Sequence, residues 1–170
     1  AGSSMLNQRA ERLKIGNQVS FQCLDISETD NNLIQCYDLI FSNFCFYTIK
    51  DNQKRALALR NLYSYLKDDG TFHVALPSKG YSASGIAIQC FKDELSDASQ
   101  NFLMKILRAF ILVPYQWYFV LKPIEKKINE GFFLRFSKEQ IEKEFSQANL
   151  TIKSISLDYG GCGYHIHGKK

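Results

Sequence analysis

Between Tyr37 and Leu76 the sequence runs strand, helix, strand, and that run constrains the fold more than any other. Tyr37-Asp38-Leu39-Ile40-Phe41-Ser42 is apolar toward both sides, the pattern of a strand buried within a parallel sheet. Asp51 can cap the helix that follows, in which Ala58, Leu59, Leu62, Tyr63 and Leu66 recur at helical spacing. Asp68-Asp69-Gly70 reads as a turn, with Gly70 suited to the left-handed position after a helix. Thr71 to Leu76 is then a strand, stopped by Pro77. Such alternation predicts an α/β domain with a mostly parallel sheet.

The flanks extend the same pattern. Ser3 or Ser4 can cap a helix running to about Lys14, ended by Gly16-Asn17. Val19 to Leu24 alternates and reaches Asp25, so it reads as a strand ending on an acid, and Ser27 to Asn32 as a loop or a short helix. After Pro77 the alternation lapses. Ser78 to Gly85 is small and flexible, and Ile86 to Ile128 is helical and rich in aromatics. Ser137 then opens a capping box with Gln140, and the helix through Ala148 places Ile141, Phe145 and Ala148 on one face. Ile152 to Leu157 is a further strand, and Tyr164 to His167 can be another. The expected organisation is a single α/β domain over residues 1–170, with a helical cap or lid inserted at 80–131.

Composition excludes several classes. At 170 residues with 45% hydrophobic residues and three prolines, the chain buries a core and is neither disordered nor fibrous. The net charge is +4, but its Lys and Arg are scattered apart from Lys126-Lys127 and Lys169-Lys170, which argues against a nucleic-acid partner. Five cysteines without a C-x-x-C pair indicate neither a zinc site nor a disulfide framework. Cys23 and Cys45, within apolar runs, are expected in the core, and a reducing, cytoplasmic setting follows. Phe102 to Leu121 is strongly apolar, yet Lys105 and Arg108 interrupt it and Pro114 sits near its middle. Its uncharged part, Ala109 to Leu121, is shorter than the roughly 20 residues of a spanning helix, so no transmembrane segment is expected.

In an open α/β sheet ligands bind beyond the carboxyl ends of the strands. That rule selects Asp25-Ile26, Ser42-Asn43-Phe44 and Pro77-Ser78. Asp25 can accept hydrogen bonds from an amino group or hydroxyl, or simply cap the next turn. Asn43 offers a donor and an acceptor beside aromatics, or serves as a turn residue. His165 and His167 share one face of a strand without a third ligand, so edge decoration is expected rather than a metal site, and His73 reads as an interior residue. Gly160-Gly161-Cys162-Gly163 is followed by a strand pattern and not a helix, so a hairpin turn is expected and not a phosphate loop. No motif nominates a catalytic nucleophile.

Taken in order, Ser4-Met5-Leu6, Val19-Ser-Phe-Gln-Cys-Leu-Asp25-Ile26, Tyr37-Asp-Leu-Ile-Phe-Ser-Asn43-Phe and Asn61-Leu-Tyr-Ser-Tyr-Leu-Lys-Asp-Asp-Gly70-Thr-Phe resemble the later two thirds of a class I S-adenosylmethionine-dependent methyltransferase. Phe136-Ser-Lys-Glu-Gln to Ala148-Asn-Leu resembles that family's last helix. The wording around Phe41 to Tyr47 and Asp51 to Arg55 is closest to small-acid carboxyl methyltransferases of the juvenile hormone acid and trans-aconitate types. The resemblance implies a Rossmann-like sheet of order 3-2-1-4-5-7-6 with a helical insertion after strand five. It implies S-adenosylmethionine as cofactor, with Asp25 on the adenine amino group, Ile26 on the ring, Met5 near the adenine edge, and Ser42, Asn43 and Phe44 at the methionine end. Substrate contacts would come from Tyr47, Tyr81, Tyr115 and Trp117.

The family's first strand and glycine-rich loop have no match, so the expected sheet lacks its first two strands. Either a preceding segment or a rearranged, homo-oligomeric assembly is expected to complete it. The implied reaction is in-line methyl transfer from an activated sulfonium to a small-molecule acceptor, without a covalent enzyme intermediate. An acceptor carboxylate, ionised at neutral pH, requires no base. Two other readings are a non-catalytic methyltransferase-like module that binds another protein, and peripheral membrane association through Phe102 to Leu121.

Overall fold

The structure, a computed structural model, describes Arg12 and residues 22–96 and 101–170. The helix expected to end at Lys14, Val19 to Phe21 and Met5 lie outside the described residues. Gln22 to Asp25 has no regular structure, so the C-terminal part of the strand expected at Val19 to Leu24 is not one. Cys23, expected in the core, is exposed there, as is Cys45 after the next strand. A single 3₁₀ turn at Asn31–Leu33 follows, capped by the Asp30 carboxylate.

The first strand, β1 (Tyr37–Asn43), leads to α1 (Asn52–Tyr65). Asp51 caps α1 by accepting from the N–H groups of Gln53 and Lys54, which holds its carboxyl below the usual range. Strand β2 (Leu66–Pro77) begins directly after α1. Asp68-Asp69-Gly70 is therefore part of an irregular strand and not the expected helix-ending turn. The pairing jumps from Tyr37–Leu66 to Leu39–Thr71, so residues 67–70 bulge. Gly70 does not take a left-handed conformation. Its lack of a Cβ matters for space, since one would lie 2.9 Å from both the Leu66 side chain and the Lys67 carbonyl.

A helical region comes next: α2 (Ala83–Ser96), α3 (Phe102–Leu107), α4 (Val113–Gln116) and α5 (Lys122–Asn129). Two π-helical turns, Arg108–Leu112 and Trp117–Leu121, join α3, α4 and α5 into one run. Helix α6 (Lys138–Gln147) and the hairpin β3 (Thr151–Asp158) and β4 (Gly163–Lys169) close the chain. Ser137 accepts from the Gln140 N–H at 3.3 Å. The reciprocal half of the expected capping box is not formed, and the Gln140 side chain is turned toward Glu144, to which its amide donates at 2.8 Å.

The described sheet has four strands in the order β1-β2-β4-β3, with β1 and β2 parallel and the other two pairs antiparallel. This mixed sheet replaces the mostly parallel one expected, and β4 lies inside it. His165 and His167 therefore do not decorate an edge. Helices α1 and α6 cover one face. Phe72, Val74, Leu76 and Ile166 point into the core beside Leu59, Leu62, Ile141 and Phe145. On the same side the Arg55 guanidinium, 3% exposed, makes two 2.8 Å bonds to Glu144 and clamps α1 to α6. The other face carries Leu39 and Phe41, both exposed although β1 reads as apolar on both sides. Among the described residues β1 is an edge strand, and the core helices α1 and α6 lie on its opposite face.

Candidate functional site

The parallel pair β1 and β2 fixes where a ligand could sit, beyond the carboxyl ends of both strands. Ser42, Asn43 and Phe44 leave the end of β1 there, and Pro77 and Ser78 the end of β2. Ser42 pairs with Val74 and faces the core, and its buried Oγ has no hydrogen-bond partner among the described residues. Asn43 pairs with Ala75 on the open face and is exposed. Phe44 has a φ of 50°, a left-handed conformation uncommon for a non-glycine residue, while its N–H donates to the Ala75 carbonyl at 3.1 Å. That turn aims the Phe44 ring across the strand end.

Two aromatic rings pack against Phe44. Tyr47 lies edge-on at 6.1 Å between centroids and Tyr159 at 6.0 Å. Tyr47 packs in turn on Phe133 at 4.7 Å. Tyr81 is 5% exposed nearby, in a second cluster with Ile86, Ile128 and Cys162. Burial above all, with the neighbouring Tyr47, Glu125 and Cys162, pushes its phenol up to about 12, so Tyr81 stays a neutral donor. Burial raises Tyr47 too. Ser78 seals the floor by donating to the Gly161 carbonyl at 2.7 Å and accepting from the Gly80 N–H.

Asp25 and Ile26 lie elsewhere along β1. Ser27 donates its hydroxyl at 2.7 Å and its backbone N–H at 2.9 Å to one Asp25 oxygen, which holds the carboxyl below its usual range. This is the turn-capping alternative, although the second oxygen keeps its acceptor capacity. The Ile26 carbonyl accepts from the side chain of buried Asn61 at 2.8 Å, and Thr29 donates to the same amide. Asn61 and Tyr65 thus pin the 26–30 segment onto α1. Leu24 and Ile26 line an open apolar hollow with Tyr37, Ile40, Phe41 and Leu62.

The structure brings Ser42, Asn43, Phe44, Tyr47 and Tyr81 to one end of the sheet. Tyr115 and Trp117 belong to the helical run instead. Tyr115 is exposed and packs on Phe119, while Trp117 donates to Ser84 Oγ at 3.4 Å under the Lys122 ammonium. Sequence reasoning missed Tyr159 and Phe133. Register alone reveals the first: Pro77 pairs with Gly163, which carries the 159–163 turn to the end of β2. Gly160 and Gly161 both have positive φ, as a hairpin turn there requires. Among the described residues no group of three metal-ligating side chains is placed to hold an ion.

No family model matches the sequence, and no curated protein matches it either. Solved structures do share the fold. A possible exported protein from Bordetella parapertussis superposes with a TM-score of 0.60 at 14% identity, covering 96% of this chain and 48% of that one. Burkholderia thailandensis 1,6-didemethyltoxoflavin-N1-methyltransferase, with bound 1,6-didemethyltoxoflavin and S-adenosylhomocysteine, gives 0.56 at 14%, covering 96% and 55%. PigF with SAH gives 0.55 at 16%, covering 99% and 45%. The chain thus has a mixed α/β fold found in S-adenosylmethionine-dependent methyltransferases, and spans about half the length of these structures.

Proposed function

We propose that this chain forms the acceptor-side half of an S-adenosylmethionine-dependent methyltransferase acting on a small molecule, with a carboxylate as the favoured acceptor group. The observation that carries the reading is the end of β1, where a buried hydroxyl without a partner among the described residues, an exposed amide and a left-handed aromatic follow one another at a parallel strand terminus. Fold alone would not select a reaction, since one scaffold hosts many chemistries. In this reading β1, β2, β4 and β3 correspond to strands four, five, seven and six of the methyltransferase sheet. The segment 80–131 is its lid.

The residues present fit the methionine end of the cofactor. The Asn43 amide would hold its polar groups with Ser42 packed behind it on the core side, Phe44 would cover its apolar side, and Asp25 with Ile26 would take the adenine. Bound there, the cofactor supplies a methyl group on a sulfonium, already activated for displacement. The chain's own task is to position and to dry. Phe44, Tyr47 and Tyr159 form an apolar wall that excludes water from the acceptor. Tyr81 keeps its proton across the physiological range and can donate a hydrogen bond to an acceptor oxygen, orienting it without taking part in proton transfer. Tyr115 and Trp117, further along the lid, would close over the bound acceptor.

Calorimetric titration with S-adenosylhomocysteine tests this. Saturable heat is expected, weakened by Asn43→Ala. Absence of heat at about 1 mM ligand, a concentration that registers even weak affinity, would sink the reading.

A further inference from the structure

The run from Phe102 to Asn129 is not explained by packing among the described residues. Its inward stripe is narrow: Ala109, Val113 and Ile128 are buried, and Trp117, Leu121 and Ile124 half-buried. Residues 109, 113, 117 and 121 are four apart, a spacing that drifts around a regular α-helix. The two wide π turns offset the drift and keep one edge of the run against α2. Most of the remaining side chains face outward. Phe102, Leu103, Phe110, Ile111, Tyr118 and Phe119 are 59–75% exposed, and other large apolar side chains lie between them. Contiguous apolar surface on this scale marks a docking face.

Charge selects the occupant. The run carries Lys105, Arg108, Lys122, Lys126 and Lys127 against one carboxylate, Glu125. Glu125 is turned inward, accepting from the Ala83 N–H at 3.0 Å to cap α2. Arg108 approaches Glu94 at 3.9 Å and Lys126 approaches Glu130 at 3.8 Å, both long and partly exposed pairs. Lys122 and Lys126 line an open groove with Tyr118 and Phe119, so cation and aromatic meet at one surface. Self-pairing of two copies along the run would set cations against cations in either direction. An apolar face edged by lysines and aromatics is instead the composition of a helix lying in a membrane interface. No described helix is long and apolar enough to cross a bilayer.

We infer that Phe102 to Lys127 docks this protein on an anionic lipid surface, with the apolar side chains among the acyl chains and the lysines at the headgroup phosphates. This does not rest on the methyl-transfer reading, and cofactor calorimetry can fail or succeed separately from it.

Flotation of the full chain with phosphatidylcholine vesicles, with and without about a third phosphatidylserine, is the direct test. The chain is expected to float with the anionic vesicles, and about 0.5 M salt should weaken the association by screening. The double variant Phe110→Glu, Ile111→Glu should abolish flotation while its circular dichroism stays native, because both side chains are already exposed. Lys122→Glu and Lys126→Glu should each lower vesicle affinity about fivefold or more. Trp117, the only tryptophan, should be quenched by brominated lipid. No flotation at millimolar lipid would overturn the inference, as would unchanged flotation of the Phe110, Ile111 variant. A stable dimer that ignores both vesicle types would assign the face to a second copy and overturn it equally.

Discussion

One sheet has two faces that differ in almost every respect. Toward α1 and α6, Phe72, Val74 and Ile166 are fully buried, and Phe72 and Phe145 lie 5.6 Å apart between ring centroids. Toward the other side the same strands present Phe41, His73, His165 and His167, with Phe41 stacked on His73 at 5.2 Å and His73 on His167 at 4.5 Å. Phe41 is 68% exposed. Because successive side chains alternate across a sheet, both faces are written into the same few residues. The difference teaches that stability resides on one side of this protein, while the other side is organised but uncovered.

Substitution should expose that asymmetry. Phe72→Ala empties a site with no solvent access and should cost about 3–5 kcal/mol, whereas Phe41→Ala on the open face should cost about 0.5 kcal/mol or less. Urea unfolding of the two variants measures both, and comparable losses would mean that the open face is packed after all. Next in size is the Arg55–Glu144 clamp. Glu144→Gln leaves a buried guanidinium without its counter-charge and should cost about 3 kcal/mol. Burial raises the Glu144 carboxyl, but the hydrogen bonds from Arg55 and Gln140 outweigh it and leave the group below its ordinary 4.5. Its contribution is therefore complete above pH 4.5 and lost as pH falls below that value. Replacing both partners, as Arg55→Met with Glu144→Leu, should recover most of the loss, because no charge then remains buried.

The covered face was legible in the sequence, and the open face was not. Helical spacing in 58–62 and 141–148 named residues that do form the core, since an amphipathic stripe records which side is dry. The apolar content of Leu39 and Phe41 predicted burial for the same reason, but burial needs a neighbour as well as an apolar side chain. Cys23 and Cys45 failed likewise. Asp51 and Ser137 were readable as caps because capping depends on a few adjacent residues. The turn at Asp68 to Gly70 was misread because α1 passes straight into β2 and the irregularity lies inside the strand pairing. At the candidate site, Ser42, Asn43 and Phe44 followed from the strand-end rule, whereas Tyr159 arrives from more than a hundred residues away through sheet register, which local pattern does not encode.

The histidines offer the finest probe of the open face. His73 Nδ1 and His165 Nε2 are 3.1 Å apart, a hydrogen bond that needs one proton between the two atoms. His167 stacks on the same ring, and Asp158 Oδ2 approaches the far nitrogen of His165 at 3.7 Å. Across the strands Ser154 pairs with His167 and Ser156 with His165, while Lys169 stands one row further along the same face. Partial burial, then His167 and His165, push His73 below its ordinary 6.5. Above that value the folded and unfolded chains both hold His73 neutral and stability is complete. As pH falls through 6.5 the unfolded state takes up a proton that the folded state resists, so stability declines until the depressed folded value is passed. Thermal unfolding between pH 8 and pH 5 should therefore show a midpoint that falls on acidification, with a smaller fall in His73→Phe, which keeps the stack and removes the titration. An equal slope in the variant would show that His73 contributes nothing to the acid response. A flatter slope would show that the uncovered histidine ladder is coupled to folding, and that the two faces differ in degree and not in kind.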